Sequence, residues 1–353
     1  RKSDVRARRE HKTGAGWIEH GGDAGAAELR FGRPKDGWLD LSTGINPHAY
    51  PLPRPSLETW RRLPDRHTLA RLARAAADGY GVGDPSFVVP APGTQALIQW
   101  LPRLCSPGTV AVVGPTYAEH ARCWRLAGHR VKNVADLAAA RASRARVVVA
   151  VNPNNPDGRR FPSRILTALA RALAPREGLL VVDESFADVA EDSSVAPFAG
   201  RPGLVVLRSF GKFFGLAGIR LGFALAPATL AATLKTALGP WAVSGPAAAI
   251  GIVALRDRRW QARMRRRLAA SMKRLCALLE RNGLAIVGGT DLFVLTAHPK
   301  AGKLWAHLAK RGILVRRFAA QPQWLRFGLP GRPRDWRRLA RALALFSAGG
   351  TER

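Results

Sequence analysis

Long apolar runs are missing from this sequence. The longest are strand-length pieces such as residues 147–151 and 179–182, far short of the roughly 20 residues a bilayer-spanning helix needs. No membrane association is therefore expected. Residues 1–12 are charged throughout and lack the apolar core of a secretory leader, so a cytoplasmic location is the expectation. Cysteine is scarce: Cys105, Cys123 and Cys276 are odd in number and far apart. That argues against a disulfide framework, and no Cys/His cluster has metal-ligand spacing, so no metal is expected. All three read as small buried apolar residues. Acid is in short supply too, with 25 Asp and Glu against 56 Lys and Arg and a formal net charge of +31. Such an excess raises a basic nucleic-acid-binding protein as a remote alternative. The cations, however, are spread over almost every segment, without zinc-finger spacing, an RNP-like motif or a basic region followed by heptads. No nucleic-acid partner is expected. Lysine itself is rare, 10 residues against 46 arginines, which points to a bias of composition and not to a built patch. A positive surface still steers anionic, phosphorylated ligands inward.

What is present suits a sizeable folded core. With 353 residues, 47% of them hydrophobic, the chain is long enough for two domains. Residues 1–14 read as a basic tail and 15–52 as an irregular arm rich in Gly and Pro, with at most a short strand at 38–41. A large domain is expected over 53–238. It opens with a helix over 68–80 that ends at Gly79. Strand-like and helical stretches then alternate, with continuous apolar runs at 110–113, 147–151, 179–182 and 204–207. Runs of this kind suit parallel strands covered on both faces, so an α/β class with a mostly parallel sheet is predicted. From 239 the texture changes to a smaller α+β domain. Its long helix over 256–281 carries Trp260, Met264, Leu268, Met272, Leu275 and Leu279 on one face and stops at Gly283.

Four short motifs end or follow predicted strands, where open α/β sheets bind ligands. The first, RSFGKFFGLAGIRLG over residues 208–222, sets Lys212 in a glycine-framed apolar segment. There an amine loses its proton readily and becomes a nucleophile. Ser209 and Arg220 flank it as a hydroxyl and a bidentate fork for a phosphate. The second, VVDESF over 181–186, places an acid pair after a strand. It resembles a Walker B element, but no phosphate-binding loop accompanies it, so Asp183 reads as a buried partner for a positive group. The third, VNPNNPDG over 151–158, is by itself a turn. The fourth, PGTQA over 92–96, opens a helix whose free N–H groups make an anion site of Gly93, Thr94 and Gln95.

In this order, and with Asn155, Asp183 and Lys212 separated by 28 and 29 residues, the four motifs resemble fold-type I pyridoxal-5′-phosphate enzymes of the aspartate-aminotransferase fold. Within them the chain is similar to the histidinol-phosphate aminotransferase branch. The resemblance implies pyridoxal phosphate bound to Lys212 as a Schiff base, with Asp183 at the pyridine nitrogen and Asn155 at the phenolic oxygen. Tyr117, in GPTY over 114–117, stacks on the ring, while Thr94, Gln95, Ser209 and Arg220 hold the phosphate. Relatives often carry tyrosine where this chain has Phe186, which removes one donor to the phenolic oxygen. The ends of the chain narrow the reading. HGGD over 20–23 and WLDLSTGINP over 38–47 resemble the arm of threonine-phosphate decarboxylases of cobalamin biosynthesis, with Asp23 where those enzymes usually have Asn. GILVRRF over 312–318 and QWLRFG over 323–328 match segments that present substrate-binding arginines. By that resemblance Arg326 holds the substrate's carboxylate or phosphate and Arg316 assists, with neighbouring Arg317 competing for that place. His20 and Asn46 complete the phosphate pocket. The implied activity is decarboxylation of L-threonine O-3-phosphate by a homodimer. The alternative is a histidinol-phosphate or related class I/II aminotransferase.

Overall fold

Three valine-rich runs set the architecture. In the computed structural model, which describes residues 20–348, residues 147–151, 179–183 and 204–209 are strands in which every residue is buried. Val147 and Val149 enter one core while Val148 and Ala150 enter the other. Val181 and Leu180, then Val205 and Val206, divide in the same way. A strand covered on both faces cannot carry a polar half, so its sequence is continuous. Each fully buried Val or Leu contributes about 1.5–3 kcal/mol relative to exposure.

The arm supplies helix α1 (Ala24–Phe31) and strand β1 (Leu39–Asp40), and helix α2 (Leu57–Arg61) follows it. Residues 1–19, with the basic tail over 1–14 and the start of the arm at 15, lie outside the described residues. Helix α3 (Arg66–Tyr80) begins at Asp65, whose carboxylate accepts from Thr68 N, and ends where Gly81 turns left-handed at φ 70°. It passes the expected stop at Gly79, which packs against Leu255.

Next come β2 (Val88–Ala91), α4 (Thr94–Leu104), β3 (Thr109–Val113), α5 (Ala118–Leu126), β4 (Arg130–Val134) and α6 (Leu137–Ala142). They are followed by β5 (Val147–Val151), α7 (Ser163–Leu173), β6 (Leu179–Asp183), β7 (Leu204–Ser209) and β8 (Gly222–Leu225). The sheet order is β2-β8-β7-β6-β5-β3-β4. β4, β3, β5, β6 and β7 run parallel, and β8 is antiparallel to both of its neighbours. Two reversals leave β2 pointing the same way as β7, so the loops after β2, β3, β5, β6 and β7 gather at one edge. Helices α8 (Ala228–Leu238) and α9 (Gly245–Arg256) follow. α9 falls after the change of texture at 239, yet it lies on α3: a Cβ at Gly251 would stand 3.0 Å from Leu72.

Helix α10 (Arg258–Arg281) buries the six apolar residues that its spacing picks out, together with Gln261. β9 (Ala285–Thr290), β10 (Phe293–Ala297), α11 (Ala301–Lys310), β11 (Ile313–Leu314), β12 (Arg316–Arg317), β13 (Trp324–Gly328) and α12 (Pro333–Ala348) complete the chain. A second, antiparallel sheet has the order β12-β13-β10-β9, while β11 pairs in parallel with β1 and ties the arm to this part of the molecule. Cys123 is buried as expected, but Cys105 and Cys276 are only partly so; all three are free thiols. Among the described residues, no helix is long and apolar enough to cross a membrane.

Candidate active site

A cavity of about 300 Å³ opens at the carboxyl edge of the large sheet, roofed by the arm and by β12 and β13. Lys212, Asp183, Asn155 and Tyr117 line it. So do Gly93, Thr94, Gln95, Ser209, Arg220, His20, Arg316 and Arg326. Asn46, expected in the phosphate pocket, does not, and neither does Arg317.

The loop after β7 carries Lys212 on an aromatic base. Phe210, Phe213 and Phe214 are fully buried; Phe214 stacks on Phe210 at 4.3 Å and on Trp260 of α10 at 5.7 Å. Asn46 is buried against the same loop. Its Nδ2 donates to Phe213 O at 2.7 Å and its backbone N to Lys212 O at 3.0 Å. It therefore fixes the lysine's backbone, and the substrate contact implied by resemblance is replaced by a supporting one. Enclosure by protein, then the charge of Arg326, brings the Lys212 ammonium down to about 8. A useful fraction of neutral amine follows at ordinary pH.

Asp183 ends β6. Burial alone would raise its pKa, but a hydrogen bond from His120 Nε2 at 2.9 Å and two from Ser185, at 2.5 and 2.9 Å, outweigh burial and hold it below the usual value. Its neighbour Glu184 points away and pairs with buried Arg208 at 2.8 Å, which also meets Asp188 at 2.6 Å. The acid pair thus divides into one carboxylate for the cavity and one for the core.

The asparagines after β5 divide similarly. Asn152 binds the backbone of Phe161 and Ser193, and Asn154 binds Pro115 O, Asp157 and Thr116. Asn155 faces the cavity, where its Oδ1 accepts from Arg326 Nη1, so its Nδ2 is the group left to donate to a ligand. Arg326 also donates to Ser42 O at 2.6 Å, while its buried Nε has no partner. Burial, then Arg316, disfavours its charge. Arg316 stands directly opposite Arg326 in the β12–β13 ladder. Alternation along the strand turns Arg317 the other way, over the Trp305 ring at 4.3 Å. This resolves which of the two neighbouring arginines faces the site. Two facing guanidinium groups repel unless an anion lies between them.

At the far end, Gly93 precedes α4 with φ 81° and no side chain caps the helix. A Cβ there would meet Arg220 Nη2 at 2.7 Å, and one at Gly222 would meet Thr94 N at 2.6 Å. Backbone N–H groups, the Ser209 hydroxyl and the Arg220 fork thus converge in a cradle that only glycine leaves open. The cradle, Asp183 and Lys212 fit pyridoxal phosphate: a dianion binder, an anion for the ring nitrogen and an amine for the aldehyde.

Sequence reading missed His120 and Glu119 of α5. Both are buried polar residues just after Tyr117, and His120, three residues on, shares its helix face. That spacing was the available signal. Asp23, which stands where the resembling family usually has Asn, caps α1 by accepting from Ala26 N.

The aminotransferase class I and II family model matches residues 39–343. Threonine-phosphate decarboxylase of Pseudomonas aeruginosa is 46% identical over 330 residues, covering 93% of this chain and 98% of that protein. Threonine-phosphate decarboxylase of a Sinorhizobium species is 46% identical over 333 residues, with the same coverage of both. Among solved structures, histidinol-phosphate aminotransferase from Sinorhizobium meliloti in complex with pyridoxal-5′-phosphate superposes with a TM-score of 0.79 at 22% identity, over 96% of this chain and 98% of that one. At that identity the likeness bears on the fold.

Proposed function

The chain belongs to the aminotransferase class I and II family. From that premise we propose that it is a pyridoxal-phosphate-dependent decarboxylase, converting L-threonine O-3-phosphate to CO₂ and (R)-1-amino-2-propanol O-2-phosphate for cobalamin biosynthesis. The observation that carries this reading is 46% identity to two threonine-phosphate decarboxylases over 98% of their length.

Pyridoxal phosphate, when bound, supplies an electron sink for the bond broken at the substrate's α-carbon. The chain's own residues do the rest. The α4 N-terminus, Ser209 and Arg220 would hold the cofactor phosphate, with Tyr117 against the ring. Asp183, held ionised by His120 and Ser185, would pair with the ring nitrogen and favour its protonated form. Asn155 Nδ2 would donate to the phenolic oxygen. Phe186 carries no hydroxyl and adds no donor there; its ring packs edge-on against Phe293 at 4.9 Å. Arg326, aided by Arg316, holds one anionic end of the substrate, and His20 at the cavity mouth faces its phosphate. Lys212 Nζ delivers a proton to the α-carbon in place of the departing carboxylate.

A homodimer belongs to the same reading. Leu57, Trp60 and Leu63 are 60%, 66% and 64% exposed, and Trp241 is 55% exposed. Three of these side chains fall within seven residues of chain, and large apolar side chains left in solvent so close together suit burial against a second copy. Cytoplasmic residence is consistent with the free thiols.

The test is to incubate the holoenzyme with L-threonine O-3-phosphate. CO₂ release without any oxoacid is expected. Amino transfer to 2-oxoglutarate without CO₂ would make the protein an aminotransferase instead.

A further inference from the structure

Glu119 is a carboxylate 5% exposed to which no step above assigns a role. Its Oε1 lies 3.2 Å from His20 Nε2, and its Oε2 accepts from Gln95 Nε2, also at 3.2 Å. Gln95 Oε1 in turn accepts from the Tyr117 hydroxyl at 3.2 Å. The His20 ring leans on Tyr117, with centroids 5.8 Å apart and planes at 49°. One carboxylate therefore ties together the arm, the first turn of α4 and the start of α5. Around it, Arg122 approaches only to 3.5 Å and is itself partly exposed. Burying a carboxylate is costly unless donors surround it. Cys123 Sγ, at 3.7 Å, and Arg122 donate from its own helix, but the two shorter contacts come from His20 and Gln95, which line the cavity, so satisfying Glu119 fixes their orientations.

His20 depends on this most. It belongs to the arm, and its ring nitrogen Nε2 is committed to Glu119. Nδ1 is then the nitrogen left to meet a ligand, and a fixed ring loses less freedom when it binds. We propose that Glu119 is the positioning residue that latches His20 at the cavity mouth, so that the site discriminates for a phosphorylated substrate. The proposal rests on the reading that His20 faces the substrate phosphate.

The experiment compares the holoenzymes of the native chain, His20→Ala, Glu119→Ala, Glu119→Gln and the His20→Ala/Glu119→Ala pair. KM and kcat are measured with L-threonine O-3-phosphate, and cofactor content is followed by absorbance. His20→Ala and Glu119→Ala are each expected to raise KM about tenfold, the scale of one charge-assisted hydrogen bond, with kcat changed less than about twofold. Glu119→Gln, which keeps an acceptor for His20, recovers part of the loss. The double variant is no worse than His20→Ala, because both changes remove one interaction. If His20→Ala raises KM and neither Glu119 variant does, the latch is wrong and the phosphate contact stands. An unchanged KM in His20→Ala overturns the phosphate contact and the latch with it. A Glu119→Gln protein that loses kcat or cofactor at unchanged KM makes Glu119 a structural residue, and that too overturns the proposal.

Discussion

Lys212 and Asp183 owe their chemistry to opposite balances of the same two forces. Around the lysine, enclosure and the charge of Arg326 prevail and favour the neutral amine, with a pKa of about 8. Around the aspartate, three hydrogen bonds overcome enclosure and favour the charged form. About a tenth of Lys212 is then neutral at pH 7, against less than about one part in a thousand for an ordinary lysine. The rate at which cofactor-free protein captures pyridoxal phosphate should rise with pH to about 8 and level off, as followed by absorbance; a rate still climbing at pH 10 contradicts the lowered value. Asp183→Asn is expected to reduce kcat by about 10²–10⁴-fold. His120→Phe removes one bond to an ionised group and should cost about 10–100-fold. Lys212, Asp183 and Asn155 were legible as candidates because each sits in a short motif after a strand, Arg220 because it belongs to the lysine motif, and Arg326, in the middle of β13, through the family resemblance alone. His120 and Glu119 were not, because their partners are 63 and 99 residues away in sequence.

At the scale of elements, the turn after β5 meets β9 backbone to backbone. A Cβ at Gly158 would stand 2.0 Å from Gly289 O, and one at Gly288 would stand 2.2 Å from Asp157 O. Gly158 also has φ 73°, which L side chains adopt only with strain. This contact sets Asn155 of the large sheet beside Arg326 of the small one. Gly158→Ala should therefore lower stability by more than about 1 kcal/mol and kcat/KM along with it; thermal unfolding and steady-state kinetics check both. Element types followed from apolar periodicity, as in β5, β6 and α10. β8 escaped because Gly222–Leu225 directly follows the lysine motif and its identity as a strand depends on pairing with β2 and β7. The choice between Arg316 and Arg317 required the register of β12 on β13, which no local pattern encodes.

Across the whole molecule, a net charge of +31 surrounds a cavity built for anions. Raising the salt from 0.02 to 0.3 M shortens the reach of that field from about 20 Å to about 6 Å. KM for the phosphorylated substrate should then rise several-fold while kcat holds, as steady-state kinetics will show. The exposed apolar side chains Leu57, Trp60 and Leu63 predict a dimer by sedimentation velocity and a monomer for Leu63→Asp. The central claim concerns which α-carbon bond breaks, and an isotope at that carbon tests it most directly. The holoenzyme is given L-threonine O-3-phosphate carrying deuterium on the α-carbon in ordinary water, and the product is read by NMR. Decarboxylation predicts aminopropanol phosphate that keeps the deuterium beside one solvent-derived hydrogen. Loss of the deuterium with formation of an oxoacid would contradict it.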